Sequence, residues 1–312
     1  MITTDLDRFL ALARACAPDF GPATARAAFL VTPEGFARAE ESAQDNRYMA
    51  AAGYHAEAAL AEHRALQRAL SADVPVFAFP GDPATPDAVF PNNVFAIARP
   101  DAQVLPQAPP RLLVGRMRHA VRQAEAARAD IRGFFRDTAG AVEIDLSQQP
   151  HPCELTGSLV IDRARGLGFC GLSERCDEAG AALMHEAFGL RATLLFDLAA
   201  GEYHTNVVLA VLAGRAAVVC PAGFADPAVP AAIAAYYAPH VVVCDAAEHA
   251  AFVGNAIALS ADTAWMSARA DAALRPASRA VLEAAGFAVR SVALDAIEAG
   301  GGSLRCCIGE VF

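Results

Sequence analysis

Asn46, Asn93, Ser158, Asn206, Asn255 and Ser303 each stand just before or at the start of an apolar run, at separations of 47, 65, 48, 49 and 48 residues. A period near 48 along the chain means stacked or circular copies of one supersecondary unit, not two unlike domains. The long interval contains Leu105–Pro110 (LPQAPP), which reads as a loop insertion.

The content of the unit is clearest from Ala141 onward. Val142–Leu146 reads as a strand, Ser158–Asp162 and Leu167–Cys170 as a hairpin, and Glu178–Phe188 as a helix. Ala192–Leu198 is the next strand, followed by a hairpin of Val207–Val211 with Ala216–Cys220 and a helix over Pro227–Tyr237. Val241–Cys244, Ile257–Ser260 paired with Thr263–Ser267, a helix near Pro276–Ala285, and Ala288–Val292 repeat the cycle. The pattern predicts an α/β fold of ββαβ repeats, with residues 1–312 as one catalytic domain. Circular closure removes exposed sheet edges and so favours a propeller. A doubly wound sheet also alternates short strands with helices. The hairpin inside each unit speaks against it.

Composition narrows the function. The chain is 55% hydrophobic and 19% charged, which excludes disorder. No apolar run reaches the ~18 residues of a membrane span. Met1–Gly21 is amphipathic and carries acids and arginines, so it does not read as a signal peptide and the cytoplasm is the expected location. A net charge of −10 argues against a nucleic-acid partner. All 25 basic residues are arginine. Without lysine, Schiff-base chemistry and a Walker phosphate loop are excluded. The eight cysteines read as reduced thiols, mostly in the core.

Polar residues recurring at strand starts around a closed ring would converge on its axis. Those positions lie in PDAVFPNNV (86–94), CELTGSLVID (153–162), EYHTNVVLA (202–210), VGNAIAL (253–259) and GGGSLRCCIGEVF (300–312). They offer Asp87, Asn92, Asn93, Glu154, His204, Asn206, Cys306 and Cys307. Thiol, imidazole and carboxylate together are the parts of a cysteine hydrolase. Gly300, Gly301 and Gly302 would let backbone approach a ligand closely. A buried core cysteine is the competing reading of Cys306.

GGGSLRC resembles the nucleophile segment of the guanidino-group modifying enzymes: arginine deiminases, dimethylargininases, agmatine deiminases, succinylarginine dihydrolases and amidinotransferases. YHTNVV resembles their histidine segment, CELTGSLVID their glutamate segment, and CGLSER the segment of a substrate-carboxylate arginine. PDAVFPNN is similar to the aspartate segment of dimethylargininases, with Asn where they have acids. The combination, over about residues 27–312, is most similar to the hydrolases associated with citrulline utilisation.

The resemblance implies a five-bladed α/β propeller, the pentein fold. It implies Cys306 as nucleophile, His204 as acid/base and Glu154 as the residue orienting the histidine. Asp87, Asn92, Asn93 and Asn206 would line the guanidino or ureido pocket. Arg175 matches a carboxylate-clamping arginine, and Arg116 matches a second one only loosely. Leu155 stands where a glycine is usual, and Cys307 where an apolar residue is usual. The expected ligand is a guanidino or ureido amino acid. The resemblance calls for no cofactor or metal and allows a homodimer.

A guanidinium or urea carbon is a poor electrophile, which a thiolate attacks only when hydrogen bonds fix the group. Neutral Asn93 and Asn206 both donate and accept, which suits a ureido group. The expected reaction therefore carries citrulline, or arginine through it, to ornithine, carbon dioxide and ammonia. Simple deimination, amidino transfer and a propeller that only binds such ligands remain open. Gly166, Gly168 and Gly171 match GxGxxG but read better as a glycine-rich hairpin. His151, Cys153, Cys170 and Cys176 lack the close pairs of a zinc site. His55 and His63 read as surface or packing residues. Ser173 lacks the second glycine of a nucleophile elbow.

Overall fold

The computed structural model, which describes residues 1–312, distributes the short strands over five small sheets, four of them mixed. In the second sheet Phe95–Ala98 pairs antiparallel with Arg111–Val114, which pairs parallel with Val142–Asp145. The third has the same order in Leu159–Asp162, Leu167–Leu172 and Ala192–Asp197, with Ile2–Thr3 added in parallel at its edge. The fourth is Leu209–Leu212, Ala216–Val219 and Val241–Val243. In each sheet the parallel pair is joined through helical segments, so the ββαβ unit is present.

The helices follow from their sequence. Glu178–Phe188 starts where the Asp177 side chain accepts from the Gly180 N–H at 2.7 Å, and it buries Ala181, Met184, Ala187 and Phe188 on one face. Leu6–Ala15 is capped in the same way by Asp5.

The first and fifth sheets depart from the expectation. Gly309–Val311, at the C-terminal end of the chain, pairs antiparallel with Ala27–Val31, which pairs parallel with Val76–Phe79. The strand that completes the first unit is thus supplied by the segment after Ser303. Asn46 lies instead in the connection between Ala27–Val31 and the helix Ala56–Leu70, so its 47-residue spacing does not mark a unit. In the fifth sheet Thr263–Ser267 pairs with Ala288–Val292, and Ile257 makes only an isolated bridge to Trp265. The expected strand Ile257–Ser260 does not form.

The remaining markers sit one step earlier than strand starts. Pro91–Asn93, Leu155–Ser158, Thr205–Val208 and Leu304–Cys307 are single helical turns leading into first strands. That places Val207 and Val208 in a turn and starts the strand at Leu209. Side chains tie one turn to the next. Thr156 donates to the Asn92 carbonyl at 3.0 Å, Thr205 to Ser158 at 2.6 Å, and Asn255 to Asn206 at 2.8 Å. The turns Pro91–Asn93 and Leu304–Cys307 are in contact as well. No helix is long and apolar enough to cross a membrane.

Candidate active site

These turns gather the polar residues. Glu154 immediately precedes Leu155–Ser158, His204 precedes Thr205–Val208, and Cys306 lies in Leu304–Cys307; all three are buried. Leu155, directly after Glu154, takes φ of 24°, a region that favours glycine. Its side chain is fully buried against Cys153 and neighbouring apolar groups, which hold a backbone that costs about 1–3 kcal/mol.

Glu154 Oε2 and His204 Nε2 are 2.8 Å apart, Glu154 Oε1 accepts from the Arg118 N–H at 2.9 Å, and Arg175 Nη1 donates to Oε2 at 3.2 Å. Burial alone would raise the Glu154 pKa, but Arg175 and the hydrogen bond to His204 hold it well below the carboxylate range. Burial pushes the His204 pKa down, with Glu154 opposing, so the imidazole is neutral at pH 7. An ionised Glu154 can only accept, which assigns the ring hydrogen to Nε2 and leaves Nδ1 as a free base. Nδ1 is buried without a partner.

Gly157 explains how that ring fits. A Cβ on Gly157 would lie 2.5 Å from Asn93 Oδ1 and 2.8 and 2.9 Å from His204 Cε1 and Nδ1. Gly157→Ala should therefore displace both groups while the fold persists. We expect kcat to fall about 100-fold, read against an unchanged far-UV circular dichroism spectrum. Full activity would show that the ring can move aside harmlessly.

Cys306 accepts from Asn255 Nδ2 at 3.4 Å, and its thiol faces Asn206 Oδ1 at 3.8 Å. Burial raises the Cys306 pKa, opposed by the Ser303 backbone contact and Asn255, so the resting group is a neutral thiol. Cys307 packs in the core and directs its sulfur to the Ser303 carbonyl at 3.6 Å. Cys306 opens onto a cavity of about 280 Å³ that it shares with Asp87, Asn93, Arg122, Arg175 and Tyr203. Gly300 and Gly302 also line it. Asp87 Oδ2 accepts from Ser42 at 2.6 Å while Oδ1 is unpaired. Burial raises its pKa, with Arg122 opposing. Asn93 Oδ1 is buried and unpaired too, as are Asn206 Nδ2 and both amide atoms of Asn92; Asn206 lines a separate cavity with Arg305 and Glu310, and Asn92 is not part of the lining around Cys306. Buried polar atoms without partners are rare, and Asp87 Oδ1 and Asn93 Oδ1, in one cavity with a thiol, are what a polar ligand would satisfy.

Two arginines differ from expectation. The Arg175 fork is already filled. Nε donates to Asp45 at 2.9 Å, Nη1 to Glu154, and Nη2 to Asp45 and to the Ser42 carbonyl at 3.1 Å. Arg175 therefore lines the cavity as the partner of Glu154 and Asp45, not as a free clamp. Arg116 donates to the Ser147 carbonyl at 2.8 Å and lines a separate cavity with Gln123 and Arg132. Its side chain is spent outside the site. Asn255, Arg122, Ser42 and Asp45 were not among the residues expected here, although the 48-residue spacing had marked Asn255.

Gly166, Gly168 and Gly171 occupy a hairpin turn and its second strand. Cys170 and Cys176 sulfurs lie 3.7 Å apart in the core, and no group of three or more His, Cys, Asp or Glu residues is placed to hold a metal ion.

Comparison with known proteins identifies the family and the fold. The family model described as N,N dimethylarginine dimethylhydrolase, eukaryotic, matches residues 32–312. The substrate-bound N-terminal domain of ArgZ, an arginine dihydrolase from the ornithine-ammonia cycle in cyanobacteria, superposes with a TM-score of 0.77 at 18% identity, covering 91% of this chain and 97% of that one. Unliganded AgrE gives 0.75 at 18% identity, over 91% of this chain and 39% of AgrE. A dimethylarginine dimethylaminohydrolase adduct with S-methyl-L-thiocitrulline gives 0.66 at 17% identity, over 92% and 99%. No curated protein matches by sequence. With nearly its whole length matched, the chain belongs to the dimethylarginine dimethylhydrolase family and, through it, to the guanidino-modifying pentein superfamily.

Proposed function

We propose that this protein hydrolyses C–N bonds in the guanidino or ureido group of an arginine- or citrulline-like amino acid through a covalent Cys306 adduct, yielding ammonia, ornithine and carbon dioxide. The observation that carries this reading is the set of unpaired buried atoms next to the thiol: Asp87 Oδ1, Asn93 Oδ1 and Asn206 Nδ2. Two of these three belong to amides, which match a urea's carbonyl and NH2. We further propose that the five sheets are the blades of one closed propeller forming a single catalytic domain. The turn-to-turn hydrogen bonds and the pairing of Gly309–Val311 with Ala27–Val31 support this.

In the proposed reaction His204 Nδ1 takes the Cys306 proton, and the thiolate attacks the central carbon. The departing nitrogen receives that proton, and water then attacks the adduct with His204 again as base. From arginine the first round consumes one water and gives citrulline and ammonia. From citrulline the second expels ornithine, leaves a carbamoyl group on sulfur, and consumes one water to give carbamate, which splits to carbon dioxide and ammonia. Arg175 is assigned the positioning of Glu154.

The test is product analysis with arginine, citrulline, dimethylarginine and agmatine. Ornithine from citrulline is the expected result; conversion of arginine to citrulline and no further would overturn it. A second reading rests on Asp87, a buried carboxylate oxygen free to meet a guanidinium, together with the family match. It predicts dimethylamine from dimethylarginine. Asn93→Asp should favour that cationic substrate. Facing a urea oxygen, the new carboxylate forfeits a hydrogen bond worth about 1–3 kcal/mol, so ornithine formation should fall about 10- to 100-fold.

A further inference from the structure

The Asn255 amide is buried and its orientation is fixed. Oδ1 accepts from the Arg305 N–H at 2.9 Å, which leaves the NH2 group to face the other way. One of its hydrogens reaches the Asn206 carbonyl at 2.8 Å, and the other reaches Cys306 Sγ at 3.4 Å. The first bond belongs to the turn-to-turn series, in which Thr156 and Thr205 make the equivalent contacts with a hydroxyl. A hydroxyl has one hydrogen and is spent on that tie; an amide has a second. Asn stands at the one turn whose tie lies next to the nucleophile, and its second hydrogen goes to sulfur.

We propose that Asn255 is a catalytic residue whose Nδ2–H holds the Cys306 thiolate. The two side-chain contacts of the sulfur have opposite senses. The thiol can donate to Asn206 Oδ1 only while protonated, so that contact favours the resting form. Asn255 donates, so its bond strengthens when the proton leaves for His204 and negative charge develops on sulfur. No cation is hydrogen-bonded to this sulfur. The burial that otherwise disfavours its ionisation makes one fixed donor count for more than it would in water. The inference rests on Cys306 as the nucleophile and adds a donor to its sulfur that is separate from the base.

The rate of Cys306 alkylation by iodoacetamide, followed against pH with the modified peptide identified by mass, tests this without any turnover. Asn255→Thr keeps a hydroxyl for the Asn206 tie, as in the neighbouring turns, and removes the donor to sulfur. Its alkylation midpoint should rise by about one to two pH units. Turnover at pH 7 should fall at least about tenfold with KM within about threefold. Asn255→Asp, nearly isosteric and retaining the acceptor for Arg305, should raise the midpoint further because it sets a carboxylate beside sulfur. An unmoved midpoint in either folded variant would overturn the proposal and leave Asn255 as a tie between turns. A raised midpoint in a protein that hydrolyses none of the four substrates would uphold it while defeating the proposed reaction.

Discussion

Cys306→Ser should lower turnover by about 10⁴-fold or more, whereas Cys307→Ala should stay within about threefold of wild type. A serine hydroxyl is far less acidic and less nucleophilic than a thiol at a site built for sulfur, and loss of a nucleophile typically removes most of an enzyme's acceleration. The two sulfurs are adjacent in sequence but differ in surroundings. Cys306 opens onto the polar cavity and has amide groups on two sides. Cys307 is buried among apolar side chains, which pushes its pKa well above the ordinary thiol value. Its loss should lower stability by about 1–2 kcal/mol through the small cavity left behind, visible as a lower melting temperature and not as lost chemistry. Ammonia release and mass mapping of a haloacetamidine label give the two readouts. Label on Cys307, or equal losses in both variants, would transfer the nucleophile or void the assignment.

The unit and most of its elements were legible because strand and helix periods are local properties. The expected helix Glu178–Phe188 and strand Ala288–Val292 coincide with the observed ones. Pairing across the chain was not legible. Nothing near Ala27 states that its partner is Val311, so the first unit was credited to Asn46. The turns before first strands were also hidden. Thr205–Val208 reads as β-prone, yet its buried polar residues are used to tie neighbouring turns, and that tertiary demand overrides propensity.

Residue types and spacing pointed to Cys306, His204 and Glu154, and the structure brings His204 and Glu154 into contact with each other. The arginines show the limit. The resemblance of CGLSER marked Arg175 as an arginine facing the site, but only three-dimensional contacts reveal that Asp45, 130 residues away in sequence, already fills its fork. Asp45 had no signal of its own, because it lies in an irregular connection outside the repeat.

Glu154→Gln separates orientation from charge, and it should cost about 10³–10⁴ in kcat with little change in fold. Glutamine keeps the volume but can donate to His204 Nε2, which would then have to be the unprotonated nitrogen. The ring hydrogen moves to Nδ1, and the base needed by Cys306 is lost; an equivalent change in a serine protease costs about 10⁴. The pH profile distinguishes this from simple damage. In the wild type, burial holds the His204 pKa below its ordinary value of 6.5 against the pull of Glu154. The acid limb of kcat/KM should therefore lie below pH 6.5, where the neutral base gives way to imidazolium. Removing the carboxylate takes away the attraction that opposed burial, so the residual activity of the variant should have its acid limb at still lower pH. Stability moves with the same sign logic. The Glu154 pKa is depressed in the fold, so its contribution is present above the unfolded carboxylate value and is lost as pH falls through the folded one. Glutamine abolishes that dependence, and the difference in urea midpoint between the two proteins should shrink as the solution is acidified. An acid limb that moves upward, or a kcat within tenfold of wild type, would mean that Glu154 serves Arg175 and the fold but does not orient His204.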